Sequence, residues 1–202
     1  MPKPPKPRHI FLKPDPSYWR VLGNFVEAFA DLEMMMFLSL RFYARLDSDI
    51  ARALFSGTRV DTAIQYIRRI WEVRPIAPGR KADMENMFGQ IKLISDLRNK
   101  IIHYGTFVTS DKGRITSTVA RALTPDRVEE HRATKKDLAA MIDDLRLINA
   151  ALMWDLLPPP AGTVETLTQQ TPILLQPWRH KPEPQAARRK AAQGKKRRPH
   201  HG

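Results

Sequence analysis

The hydrophobic positions of this chain recur with a helical period over most of residues 18–157. Between Tyr18 and about Leu46, apolar residues return every three or four positions, the spacing of one buried stripe on an amphipathic helix. Ser17 is the predicted N-cap of this helix, because a serine hydroxyl can accept a hydrogen bond from a free N–H of the first turn. The stripe consists of Trp19, Leu22, Phe25 or Val26, Phe29, Leu32, Met36, Leu40 and Tyr43.

Three further helices are predicted before residue 105. The second is short, capped by Asp47 or Ser48 and ended by Ser56-Gly57, and the third spans about 59–73. The fourth begins near Lys81 and continues to Tyr104, where Gly105 is expected to form a left-handed C-terminal cap. Its predicted buried stripe consists of Met84, Met87, Phe88, Ile91, Ile94, Ile101 and Ile102.

A change of period marks the region after Gly105. Two runs of β-branched residues within 106–119 flank a turn that contains Gly113, and this pattern predicts a β-hairpin. Residues 120–133 are polar and are predicted to be irregular. Thr134 and Asp137 then have the spacing of a capping box, which opens a last helix that ends at Leu157. Its apolar positions are Leu138, Met141, Ile142, Leu145, Ile148, Leu152 and Trp154.

These elements predict an all-α fold, an antiparallel bundle of four to five helices with a small β-hairpin insertion after the fourth helix. The helical domain is predicted to span 17–158. Residues 1–16, which contain six prolines, are expected to be a disordered Pro/Lys-rich arm. Residues 159–202 are expected to be a disordered basic tail.

The charge of the chain is concentrated at its ends. The net charge is +13, and residues 179–202 hold nine Lys and Arg against one Glu. Such ends attract polyanions through salt-sensitive contacts, although a solvated tail that aids solubility would have the same composition. The chain lacks cysteine, any His spacing typical of a metal site and any phosphate-binding Gly loop, so no metal or cofactor is expected. No apolar run is long enough to span a membrane, and a cytoplasmic location is expected.

The candidate chemistry lies at the end of the fourth predicted helix, in the sequence Asp96-Leu97-Arg98-Asn99-Lys100-Ile101-Ile102-His103-Tyr104-Gly105. Arginine binds phosphate through paired hydrogen bonds, and histidine can transfer a proton near neutral pH. Asp96, Asn99 and His103 share one helix face by their spacing. Arg98 lies at the edge of that face, within reach through its long side chain.

This segment resembles the Arg-x4-6-His signature of the HEPN superfamily, compact helical domains found in many RNases and toxins. The resemblance implies a metal-independent endoribonuclease that acts on RNA as a homodimer, and for a toxin or defence RNase a cognate antitoxin as well. Arg98 would stabilise the scissile phosphate and His103 would transfer a proton. Asn99 would orient His103 or donate to phosphate.

Other residues have supporting roles in this hypothesis. Asp96 lies on the polar face, and Tyr104 would stack on a base or pack against the hairpin. On the first helix Glu27 and Asp31 share a face, and one of them would hold Arg98.

Other readings of the motif remain open. Arg98 could pair with Asp96 or with an acidic residue of the first helix and serve only to bridge helices. His103 could be a C-terminal residue that the helix dipole favours. The alternatives to a nuclease are a non-catalytic helical adaptor that binds nucleic acid through its basic tails and a dimeric nucleotide-binding module.

Overall fold

The computed structural model describes residues 15–109, 113–119, 121–124, 127–156 and 177–181. Five helices are present in this part of the chain, with a small antiparallel sheet between the fourth and the fifth, as predicted. The helices are α1 (Pro16–Ala44), α2 (Ser48–Phe55), α3 (Val60–Val73), α4 (Pro78–Tyr104) and α5 (Lys135–Leu156), and the strands are β1 (Phe107–Thr109), β2 (Gly113–Ser117) and β3 (Glu130–Arg132). The Pro/Lys-rich arm, apart from Asp15 and Pro16, lies outside the described residues, and so does most of the basic tail 159–202.

Helix α1 begins earlier than the sequence predicted. Asp15, not Ser17, is the N-cap, and its carboxylate accepts a hydrogen bond of 3.1 Å from the Tyr18 N–H. Pro16 fits the first helical position because it has no N–H to satisfy there. Helix α4 likewise begins at Pro78 instead of near Lys81. In both helices, a proline that reads as a breaker is the first residue of the helix.

The two helix boundaries next to the sheet were predicted more closely. Thr134 and Asp137 form the predicted capping box: the Thr134 N–H donates to Asp137 Oδ2 at 3.1 Å, and the Asp137 N–H donates to Thr134 Oγ1 at 3.3 Å. Gly105 ends α4 with a φ of 68°, but its ψ of −166° lies outside the left-handed helical region that was predicted. The chain therefore leaves α4 extended and enters β1 within two residues.

The buried core lies between α1, α3, α4 and α5. Most of the predicted stripe positions are buried, among them Phe29, Leu32, Ile91 and Leu145. Trp19, Trp154 and Ile102 were predicted on the apolar stripes, but each has a largely exposed side chain. Tyr18 occupies the buried position that the pattern gave to Trp19.

The sheet has three strands in the order β1-β2-β3, one more than the predicted hairpin. Strand β3 lies in the stretch that was predicted to be irregular, and it pairs antiparallel with β2 through the register Thr116↔His131. The sheet contacts the end of α4, where Thr116 Oγ1 donates to the Lys100 carbonyl at 3.1 Å. This hydrogen bond joins the middle strand of the sheet to the C-terminal part of α4.

Candidate functional site

The predicted motif lies where the end of α4 meets the first half of α1. Its arginine is half-buried, and the Arg98 guanidinium carbon lies 5.1 Å from the centre of the buried Phe29 ring of α1. Arg98 Nη1 donates to Asn99 Oδ1 at 3.2 Å. A planar guanidinium over an aromatic face is a favourable cation–π arrangement, so the ring and the amide together fix its position.

Arg98 forms no ion pair with any carboxylate of the described residues. The expected partners Glu27 and Asp31 lie on the exposed face of α1, and Asp96 lies on the exposed face of α4. The reading of Arg98 as a helix-bridging ion pair is therefore not realised among these residues. Arg98 keeps its charge uncompensated and has guanidinium N–H groups left for another acceptor.

The His103 side chain is exposed, and no hydrogen bond or ion pair joins it to another described residue. Asn99 accepts from Arg98 instead of orienting His103. His103 is the fifth residue after Arg98, and five steps of about 100° give a net rotation of about 140° around an α-helix. Arg98 thus faces α1 while His103 faces outward. Tyr104, the last residue of α4, is half-buried.

A second polar cluster, absent from the sequence-based site, lies beside the motif. Lys100 Nζ lies 2.9 Å from Glu129 Oε2 and 2.7 Å from His131 Nε2, and the latter two atoms are 3.1 Å apart. His131 comes from β3, the strand that was not predicted, and its side chain is only 11% exposed. Because Lys100 and His103 are three residues apart on α4, the cluster and His103 lie on neighbouring parts of one surface.

The Lys100 cluster makes the stability of the domain depend on pH. The hydrogen bond from Lys100, followed by that from His131, lowers the pKa of Glu129 below its ordinary value of 4.5. The ionised carboxylate therefore stabilises the fold above pH 4.5, and this contribution is lost as the pH falls through the lower folded-state pKa. We expect the difference in unfolding free energy between the parent and Glu129→Gln to shrink from about pH 6 to about pH 3 in urea titrations. A difference that is constant over this range would contradict the assignment.

A second arginine stands beside the same end of α4. The Arg114 guanidinium carbon of β2 lies 3.9 Å from the Tyr18 ring centre and 5.8 Å from that of Trp19, and Arg114 Nη1 donates to Thr106 Oγ1 at 3.4 Å. The Tyr18 hydroxyl donates to the same Thr106 oxygen at 3.2 Å. Trp19 is 53% exposed. An exposed indole next to an arginine is suited to stacking on a nucleic-acid base and holding its phosphate.

Ile102, an apolar residue near the end of α4, has an exposed side chain. Ile102 is 51% exposed although it lies seven residues after the buried Ser95 and eleven after the buried Ile91, and so on the same side of the helix. This helical periodicity is the reason why the sequence predicts Ile102 in the core. The phase is right, yet the described part of the domain leaves Ile102 exposed next to His103.

Neither a metal-ligating cluster nor a membrane-spanning helix is found among the described residues. In this part of the chain no set of three or more His, Cys, Asp or Glu side chains could hold a metal ion. No helix of the described ranges has the length and apolar character to cross a membrane. The chain matches no protein-family model, no curated protein and no solved structure. Function is therefore inferred from the residues at the α4 end.

Proposed function

We propose that this protein is a metal-independent endoribonuclease of the HEPN type, which cleaves cytoplasmic RNA as a homodimer. The observation that supports the proposal most is the state of Arg98. It is a half-buried arginine, fixed by Phe29 and Asn99, without a carboxylate partner among the described residues. Such an arginine can bind an anion. His103, a titratable side chain, is exposed on the next turn of α4.

The proposed reaction uses only groups that the chain supplies. The RNA 2′-oxygen loses its proton to a histidine and attacks the adjacent phosphorus. The bond from phosphorus to the 5′-oxygen breaks, and that oxygen receives a proton. The products are a 2′,3′-cyclic phosphate and a 5′-hydroxyl. Arg98 stabilises the negative charge that builds on the phosphate oxygens. DNA, which has no 2′-hydroxyl, is not a substrate.

A homodimer accounts for the divergent directions of the two residues. Arg98 and His103 of one protomer point about 140° apart by helix geometry, and one histidine serves poorly as both base and acid. A two-fold axis near the α4 ends would bring a second set of both residues to the same phosphate. The exposed Ile102, beside His103, supplies apolar surface for such a contact.

Binding of the RNA strand would extend beyond the scissile phosphate. Arg114 and the exposed Trp19 lie at the same end of the domain and provide one base-stacking surface and one further cation. The basic termini would add sequence-independent attraction. A toxin or defence role, and a cognate antitoxin, are the biological setting that the HEPN resemblance implies for such an enzyme.

The test is cleavage of a single-stranded RNA by the purified protein in EDTA, with analysis of the new ends. We expect 2′,3′-cyclic phosphate termini from the parent and no cleavage by His103→Ala, which should still bind the RNA. Lys92→Ala, an exposed substitution on the same helix, is the control and should leave the rate unchanged. A His103→Ala chain that cleaves as fast as the parent would refute the proposal.

Mixing parent and His103→Ala chains tests the dimer. With a ninefold excess of the variant and free subunit exchange, about nine in ten parent chains pair with a variant chain. Cleavage per parent chain should then fall about tenfold. If it does not fall, the site is complete within one protomer.

A second candidate function is RNA binding without cleavage. It is favoured by one observation: no described residue orients the His103 ring. This candidate predicts intact RNA in the EDTA assay, together with RNA binding that weakens on Arg98→Ala.

A further inference from the structure

A groove on the domain surface holds five residues from the C-terminal region, 177–181. This segment lies within the range that the sequence predicted as disordered tail, and twenty residues separate it from the end of α5 at Leu156. The groove is formed by Asn86 and Gln90 of α4 and by Asp143 and Asp144 of α5. Gln90 and Arg98 are eight residues apart, so the groove and the candidate site are separated by about 12 Å along α4.

The segment contacts the groove with alternate side chains and bends at Arg179. Trp178 and His180 are half-buried, whereas Pro177, Arg179 and Lys181 are exposed, so the segment places two side chains toward the domain. Trp178 packs against the hydrophobic core. Its indole N–H also donates to Asn86 Oδ1 at 3.1 Å.

Two buried polar side chains of the domain bind the backbone of the segment. The Asp144 side chain accepts from the Arg179 N–H at 2.9 Å and from the His180 N–H at 2.8 Å. Gln90 Nε2 donates to the His180 carbonyl at 3.0 Å and to Asp144 Oδ2 at 2.8 Å. At the rim, Arg179 forms an ion pair with Asp143.

Asp144 is the feature that the domain alone does not explain. With the segment in place it is 2% exposed, and it occupies a core position of α5, between Met141 and Ile148. A buried carboxylate is costly unless hydrogen bonds compensate it. Without the segment, only Gln90 among the described residues would donate to it. The pair Gln90–Asp144 is therefore built to receive two consecutive backbone N–H groups and a carbonyl.

We infer that the α4–α5 groove is a peptide-recognition site for a segment that bends after a tryptophan and presents two consecutive backbone N–H groups, and that its occupant is residues 177–181 of the same chain. Docking fixes one end of the basic sequence 182–202 on the domain. The site does not depend on the proposed ribonuclease activity, and its tests do not measure cleavage.

Hydrogen exchange of the full chain tests the occupant. We expect the Arg179 and His180 amides to exchange at least tenfold more slowly in the parent than in Trp178→Ala. Asp144→Asn should also remove the protection, because it removes the carboxylate that accepts from both amides. Trp154→Ala, which changes an exposed tryptophan of α5, is the control and should leave the protection intact. Amides that exchange at the unprotected rate in the parent overturn the inference. Protection that disappears on dilution would show that the segment comes from a second copy, which overturns the same-chain occupant.

Competition tests recognition. A fluorescent peptide with the sequence of residues 174–184 is titrated with the full parent chain and, separately, with the full Trp178→Ala chain. The protein concentration is raised to about 1 mM, because a short flexible tether provides a local concentration of this order. We expect the peptide to bind Trp178→Ala at least tenfold more tightly than the parent, because the intact segment competes. The same peptide with Trp178→Ala should not bind. Equal binding to both chains, or none to the Trp178→Ala chain, overturns the inference.

Discussion

Replacing Arg98 with alanine is expected to slow RNA cleavage by about 10²- to 10³-fold, the usual effect of removing a group that stabilises charge in a transition state. RNA binding should weaken much less, since the phosphate in the ground state carries less charge toward this group than the transition state does. The measurement is the single-turnover cleavage rate at saturating protein, with binding followed separately by anisotropy.

Arg98→Lys separates charge from geometry. Lysine keeps the positive charge but lacks the planar pair of donors, so we expect it to recover only part of the rate and to remain at least about tenfold slower than the parent. Arg52→Ala, an exposed change on α2, is the control for the loss of one surface arginine. If Arg98→Ala cleaves within twofold of the parent, Arg98 does not contact the reacting phosphate.

Replacing Phe29 with alanine is expected to lower the free energy of unfolding by about 3–5 kcal/mol, because the ring is almost fully buried and leaves a cavity. The measurement is denaturant unfolding of the parent and variant chains. A loss below about 1 kcal/mol would contradict the placement of Phe29 in the core between α1 and α4.

Phe29→Leu tests the same ring as a support for Arg98. Leucine fills much of the space and should cost less than about 1.5 kcal/mol, but it removes the aromatic face beneath the guanidinium. Phe25→Leu, one turn earlier and equally buried, is the matched control. The two variants should lose similar stability, and only Phe29→Leu should also slow cleavage. Equal cleavage by both would mean that the ring does not position Arg98.

The sequence predicted the helices well because their buried faces have a clear period. It failed where local rules compete. Pro16 and Pro78 read as breakers but are tolerated at first helical positions, so α1 and α4 begin earlier than predicted. Strand β3 has three polar residues, and only its pairing with β2 makes it a strand.

The sequence predicted where the candidate motif lies in the fold but not the contacts that surround it. The sequence located the motif at the end of α4, but it could not show that Arg98 faces Phe29, because the direction of a long side chain depends on neighbouring elements. It also missed the clusters around Lys100 and Asp144, whose partners are distant in sequence. One signal was available: Asp144 is a charged residue at a core position of its helix, which requires a partner.

Helix α4 is in contact with three separate parts of the molecule at fixed positions along its length: Gln90 with the docked segment, Arg98 with α1, and Lys100 with the sheet. Inserting or deleting a single residue between the first two would rotate everything after it by about 100° and shift it by about 1.5 Å. Such a change would preserve either the alignment of Gln90 or those of Arg98 and Lys100, but not all three. The spacing within α4 is therefore under a stricter constraint than the identity of its solvent-facing residues.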